Sequence, residues 1–174
     1  RGQEAAVGRR GRRRREGGAV RSYDIVIAGA GSIGVPLSYY CAKKGFKVAV
    51  VEKEASWGRG QNRAAIGGLR ATHSDPAKIR ICRESIDIVS GMKEEFGIDV
   101  EWRRGGYLFV AYDEEREAAF RKLLEIQKAA GLDIDWVGPG RVAELSPGIN
   151  MKDLRGGTFS PGDGYASTLM TATA

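Results

Sequence analysis

"IVIAGAGSIG", residues 25–34, sets a short apolar run directly before three glycines spaced G-x-G-x-x-G. Ile25, Val26, Ile27 and Ala28 predict a buried strand. Gly29, Gly31 and Gly34 fall where a dinucleotide-binding turn needs them. The first takes the turn dihedrals, the second lets the main chain approach a pyrophosphate with no Cβ in the way, and the third lets the next helix pack on the strand. That helix then presents Ser32 and Ile33 at its start, where free N–H groups and a partial positive charge favour an anion. Pro36 lies in the first turn, where its missing N–H has no intrahelical partner to lose.

The segments on either side complete a βαβ unit. Ile33, Leu37, Tyr40 and Cys41 recur at helical spacing over residues 33–43, Lys43 and Lys44 stand near the negative pole, and Gly45 ends the helix. "FKVAVVE" then predicts a second strand that delivers Glu52 to its end. A carboxylate there can accept hydrogen bonds from an adenosine ribose. An acid at this place argues against a ribose phosphate, and hence against NADP. It leaves both NAD and FAD open.

Composition narrows the function classes. The chain has 174 residues, 42% of them hydrophobic, which is ordinary for a globular domain with one sizeable core. Its formal charge of +6 is concentrated in residues 1–21, where eight arginines meet two glutamates, so the body is neutral. That distribution argues against nucleic acid as a partner of the body. The Gly- and Arg-rich segment "RGQEAAVGRRGRRRREGGAVR" predicts a disordered tail. No stretch reaches the roughly twenty apolar residues of a membrane span, and the expected location is cytoplasmic. Cys41 and Cys82 do not make a disulfide framework, and with His73 as the lone histidine no zinc constellation is expected.

"KEASWGRGQNRAAIGGLRATHSDPAKI" follows Glu52 and predicts a long functional loop. Ala64, Ala65, Gly67 and Gly68 permit close approach to a flat ligand, and Arg59, Arg63 and Arg70 supply positive charge. Beyond it, residues 76–96 predict a core-facing helix through Ile79, Cys82, Ile86, Val89 and Met92. "GGYLFVAY" at 105–112 predicts a strand, and "DEEREAAFRKLLEIQKAAG" an amphipathic helix with acids first and a Gly stop. Trp102, Tyr107 and Phe109 at strand spacing are expected in the core. His73, beside Ser74 and Asp75, is expected to be a cap or surface group.

Four motifs in order, "YDIVIAGAGSIGVPLSYYCAKKGFKVAVVEKE", "RGQNRAAIGGLRATHSDP", "VAELSPGI" and "GGTFSPGDGYAS", resemble the FAD-dependent amine and amino-acid oxidoreductases of the D-amino-acid oxidase superfamily. The resemblance covers residues 22–174 and implies an α/β fold: a Rossmann-like, glutathione-reductase-type FAD-binding unit with part of a mixed-sheet substrate domain. It implies an N-terminal part of the FAD domain over 22–99, a substrate-domain segment over 100–160, and a helix over 161–174 that returns toward the FAD domain. It implies FAD as cofactor, a small amine or amino acid as substrate, and oxygen or another electron acceptor as partner.

Position by position, the resemblance places Gly29, Gly31, Ser32, Ile33 and Gly34 at the FAD pyrophosphate and Glu52 and Lys53 at the adenosine ribose. Gln61, Asn62 and Arg63 match the loop along the pyrophosphate. Gly67, Gly68 and Leu69 match the turn that approaches the flavin ring, and Arg70 follows it as a candidate for stabilising reduced flavin. Members continue well past "TLMTATA", so a truncated N-terminal part is expected, with an exposed sheet edge and most amine-binding groups elsewhere. No residue is assigned a catalytic role, and activity is expected of the longer parent rather than of this chain alone. An NAD-linked dehydrogenase and a non-catalytic dinucleotide-binding module are the competing expectations.

Overall fold

The computed structural model describes residues 21–173. All but the last residue of the expected tail, residues 1–21, therefore lies outside the described residues.

The glycine stretch folds as its spacing predicts. Strand β1 (Ile25–Ala28) pairs in parallel with β2 (Val48–Val51), Ile25 opposite Val48 and Ala28 opposite Val51. Helix α1 (Gly34–Lys43) makes the crossover and packs on both strands. Burial is the correction here. Only Ile27 of the first strand is buried, Val26 is 63% exposed, and Ile33, Leu37 and Tyr40 of the apolar helix positions are exposed. Two strands and one helix present more apolar surface than they can cover, and no third strand joins this sheet among the described residues.

After β2 the expected loop contains two short elements, α2 (Gln61–Ala64) and β3 (Gly68–Leu69). Strand β3 exists because a distant partner, β7 (Gly164–Tyr165), pairs with it antiparallel, Leu69 opposite Gly164. Helix α3 spans Pro76–Phe96 as its pattern predicts. Asp75 caps it by accepting from the N–H groups of Ala77 and Lys78 at 2.8 and 3.0 Å, Pro76 opens it, and Gly97 closes it with φ +71°.

The remaining chain builds a second layer. Strands β4 (Tyr107–Ala111), β5 (Asp135–Val137) and β6 (Gly156–Ser160) form an antiparallel sheet in the order β4-β6-β5. Helix α4 (Glu114–Ala129), capped by Asp113, packs on all three strands, and a shorter helix α5 (Pro139–Leu145) precedes β6. The chain ends in α6 (Thr168–Thr173), which lies against α2. The main core joins α3 to this layer through Ala71, Ile79, Ile86, Leu124, Leu132 and Ile134, with Trp102 and Trp136 packed against it. Among the described residues no helix is long and apolar enough to cross a membrane.

Candidate functional site

The glycine turn is a candidate anion cradle whose donors are main-chain N–H groups. Gly29 adopts φ +100° and donates its N–H to Val51 O at 2.7 Å, which locks the turn onto β2. A Cβ on Gly34 would overlap the Gly29 carbonyl oxygen, so only glycine brings α1 this close to the strand. A Cβ on Gly31, by contrast, would meet one atom, Asn62 Oδ1 at 3.6 Å. The space above Gly31 is thus open to a ligand. Helix α1 has no side-chain cap and no acidic residue in its first turn, so no carboxylate there repels an anion.

Glu52 is held against this turn rather than projecting freely. Its carboxylate accepts the N–H of Ala30 at 2.7 Å and that of Glu54 at 2.9 Å. The Glu54 N–H and then the Ala30 N–H hold its pKa below the ordinary carboxylate value, so it stays ionised and able to accept from hydroxyl groups. Lys53 is highly exposed, 3.8 Å from Glu54. Across the turn, the N–H of Ser32 donates to Asn62 Oδ1 at 3.1 Å and that of Gly58 to Ala30 O at 2.9 Å. Asn62 therefore joins the cradle, while Gln61 and Arg63 on the same short helix stay exposed. A dinucleotide pyrophosphate fits this arrangement: open space at Gly31, a helix start without a side-chain cap, and an ionised acid just past the end of β2.

The second glycine turn is shaped by its neighbours. Gly67 has φ +81°, and a Cβ there would overlap Ala166 O. A Cβ on Gly68 would stand 2.5 Å from the Tyr107 hydroxyl. Leu69 packs on the main core. Arg70 is half-buried; its Nη1 donates to Thr72 O at 2.8 Å and Thr72 Oγ1 at 3.3 Å, and its guanidinium lies over the rings of Phe109 at 5.4 Å and Tyr107 at 5.9 Å. It is thus fixed by Thr72 and by packing over the two rings. A cavity of about 110 Å³ adjoins it, bounded by Thr72, Phe109, Phe120, Gln127 and Thr158. A larger cleft of about 480 Å³ beside the end of α3, near Lys93, Asp99 and Trp102, involves none of the expected site residues.

His73 departs from its expected place. It is half-buried, its carbonyl accepts from Gln127 Nε2 at 3.2 Å, and the capping role belongs to Asp75. Burial, then the Arg70 and Lys78 charges, push its pKa below the ordinary histidine value. Folding therefore disfavours the imidazolium: the stability this group contributes is present above the unfolded pKa and is lost as pH falls through the folded one. The thermal midpoint is expected to drop between pH 7.5 and pH 5, with a shallower slope in His73→Gln; equal slopes would contradict this. Two buried groups carry no periodic signal and escape sequence reasoning, Ser160 and Asp163. Among the described residues no group of three or more His, Cys, Asp or Glu side chains could hold a metal ion.

Comparison with known proteins bears on this geometry. The family model described as "FAD dependent oxidoreductase" (DAO) matches residues 24–174. The mitochondrial sarcosine dehydrogenase of Mus musculus is 27% identical over 86% of this chain and 16% of its own length. The glycine oxidase of Geobacillus kaustophilus is 29% identical over 87% of this chain and 42% of its own. Among solved structures, L-proline dehydrogenase from P. horikoshii superposes with a TM-score of 0.79 at 29% identity, covering 86% of this chain and 39% of that one. The chain thus spans less than half the length of each of these relatives, while its glycine cradle, the acid after β2 and the pairing of β3 with β7 all lie within the matched region. The chain belongs to the DAO family of FAD-dependent oxidoreductases.

Proposed function

We propose that this chain binds the ADP half of FAD at the Gly29–Gly34 turn and serves an enzyme that oxidises a small amine or amino acid. The observation that carries the reading is the cradle itself, with Glu52 held ionised against the Ala30 N–H beside the open space at Gly31. Relatives named for sarcosine, glycine and L-proline support the substrate class, a compact molecule with a C–H bond next to nitrogen. When bound, FAD supplies a hydride acceptor for that C–H bond and a route for the electrons to oxygen or another acceptor.

The chain's own residues bind and orient. N–H groups at Gly31, Ser32 and Ile33 take pyrophosphate oxygens, with Asn62 exchanging its present bond to Ser32 for one to the ligand. Glu52 takes ribose hydroxyls, with Lys53 beside it, and Gln61 and Arg63 flank the phosphates. Gly67, Gly68 and Leu69 offer main chain to the flavin edge, and Arg70 supplies positive charge there. Under this reading residues 22–99 build the cofactor side, 100–160 the substrate side, and 161–174 lead back to the first.

Arg70→Ala is expected to slow reduction of bound flavin by substrate roughly tenfold, about 1.4 kcal/mol, while FAD stays bound. Arg70→Lys should recover part of the rate, since a point charge replaces a planar fork. Anaerobic mixing of the FAD-loaded full-length parent, of which this chain is read as the N-terminal part, with sarcosine, glycine, dimethylglycine or L-proline tests the function. Bleaching of the flavin band by at least one of them is the expected result. A colourless protein that binds NAD instead, or flavin that no such amine reduces, would sink the reading.

A further inference from the structure

The turn "SPGDG", residues 160–164, carries a buried acid to which none of the steps above assigns a task. Asp163 is 1% exposed. Its Oδ1 accepts the Ala71 N–H at 3.0 Å from 92 residues away, and its main-chain oxygen accepts the Gly106 N–H at 2.8 Å. The next residue, Gly164, pairs with Leu69. One residue thus joins the second glycine turn, the entry to β4, and the turn between β6 and β7.

The second oxygen makes the choice of residue informative. Asp163 Oδ2 is buried with no partner in good hydrogen-bond geometry, and so is the hydroxyl of Ser160, which is near enough to favour the carboxylate without satisfying it. An asparagine would hold the Ala71 N–H equally well and offer Ser160 a donor. A buried carboxylate with an unspent oxygen is the costlier group. Its charge therefore calls for a use, and the charged groups acting on it are Arg70 and His73. Burial holds its pKa above the ordinary carboxylate value, and the Ala71 N–H, Ser160, Arg70 and His73 offset only part of that rise.

We propose that Asp163 is the positioning residue of the Gly67–Arg70 turn: one carboxylate oxygen pins the turn, and the buried negative charge limits the positive potential that Arg70 presents to a flavin. The second half rests on the reading that the flavin ring lies at this turn. The first half, and the charge itself, do not.

Asp163→Asn separates charge from shape, because it keeps an acceptor for Ala71 and removes the negative charge. His73 is the sole histidine, so its ring resonance gives an unambiguous NMR titration in the chain without cofactor. The titration midpoint is expected to fall in Asp163→Asn, since the Asp163 charge raises the His73 pKa. An unchanged midpoint overturns the counter-charge. With FAD bound, the flavin reduction potential is expected to rise in the same variant, and an unchanged potential overturns the proposal whatever the histidine does. Should the chain bind no FAD, the functional reading fails while the histidine titration still decides the charge. Should Asp163→Asn not fold, the carboxyl-carbon resonance of Asp163 in the wild-type chain decides: a group protonated throughout pH 4–8 holds no counter-charge.

Discussion

Gly31→Val is expected to abolish FAD retention while the thermal midpoint moves by no more than about 2 °C. The two halves of that result have separate causes. The Gly31 backbone lies outside the left-handed region, and a Cβ there meets only the end of the Asn62 side chain at 3.6 Å, so the fold tolerates it. Loss of chain freedom in the unfolded state even offsets part of any strain. A branched Cβ nevertheless fills the space that a pyrophosphate must enter. The affinity should fall at least about 100-fold, equivalent to about 2.7 kcal/mol. Gly34→Ala should behave differently, losing both stability and binding, because its Cβ overlaps the Gly29 carbonyl. Flavin absorbance after gel filtration and a thermal scan distinguish the two. Unchanged affinity in Gly31→Val would mean that the turn does not touch the cofactor.

Gly157→Ala should be the more damaging change to the fold. Gly157 lies in β6, the central strand of its sheet, opposite Val110 of β4 and Val137 of β5. A Cβ there would overlap Phe109 O and stand 3.2 Å from Phe109 C and 3.3 Å from Val110 Cα. These are backbone atoms of the neighbouring strand, which cannot retreat without parting β4 from β6. The expected cost is about 3 kcal/mol or more, a fall of roughly 6–12 °C in thermal midpoint. A fall of less than about 2 °C would show that β6 does not pack this closely.

The same glycines explain what the sequence made legible and what it hid. The first βαβ unit is readable because each part is local: an apolar run, spaced glycines, a proline in the first turn and an acid at the end of the next strand. Helix α3 is equally plain, since Asp75-Pro76 opens it and Gly97 closes it at the limits of its apolar stripe. "GGTFS" carries neither an apolar run nor an alternating pattern, yet it is a central strand. Its glycines are there because two neighbouring backbones approach: a Cβ on Gly156 would lie 2.5 Å from Val137 O, and one on Gly157 against Phe109. Strands β3 and β7 owe their existence to each other across most of the chain, and no window of sequence contains both. Helix α5 was marked by Pro139 at its start, but Gly138 and Gly140 around it resemble loop.

The candidate site divides in the same way. Residues whose placement follows from main-chain geometry, Gly29, Gly31, Gly34 and Glu52, are legible by spacing. The fixing of Arg70 by Thr72, Tyr107 and Phe109, and the burial of Asp163 against Ala71, arise from contacts between segments that sequence order keeps apart. His73 shows the limit clearly. Its neighbours Ser74 and Asp75 suggest a cap, but the cap is Asp75 alone, and His73 is drawn under α4 by Gln127.

The central claim is that the Gly29–Gly34 turn receives the pyrophosphate of FAD. Backbone amide NMR of the chain during titration with FAD tests it most directly, because the N–H groups in question report individually. The resonances of Gly31, Ser32 and Ile33 are expected to move most and to saturate together as FAD binds, with NAD at the same concentration leaving them in place. Those amides remaining unmoved while FAD binds, or moving as readily with NAD, would contradict the account.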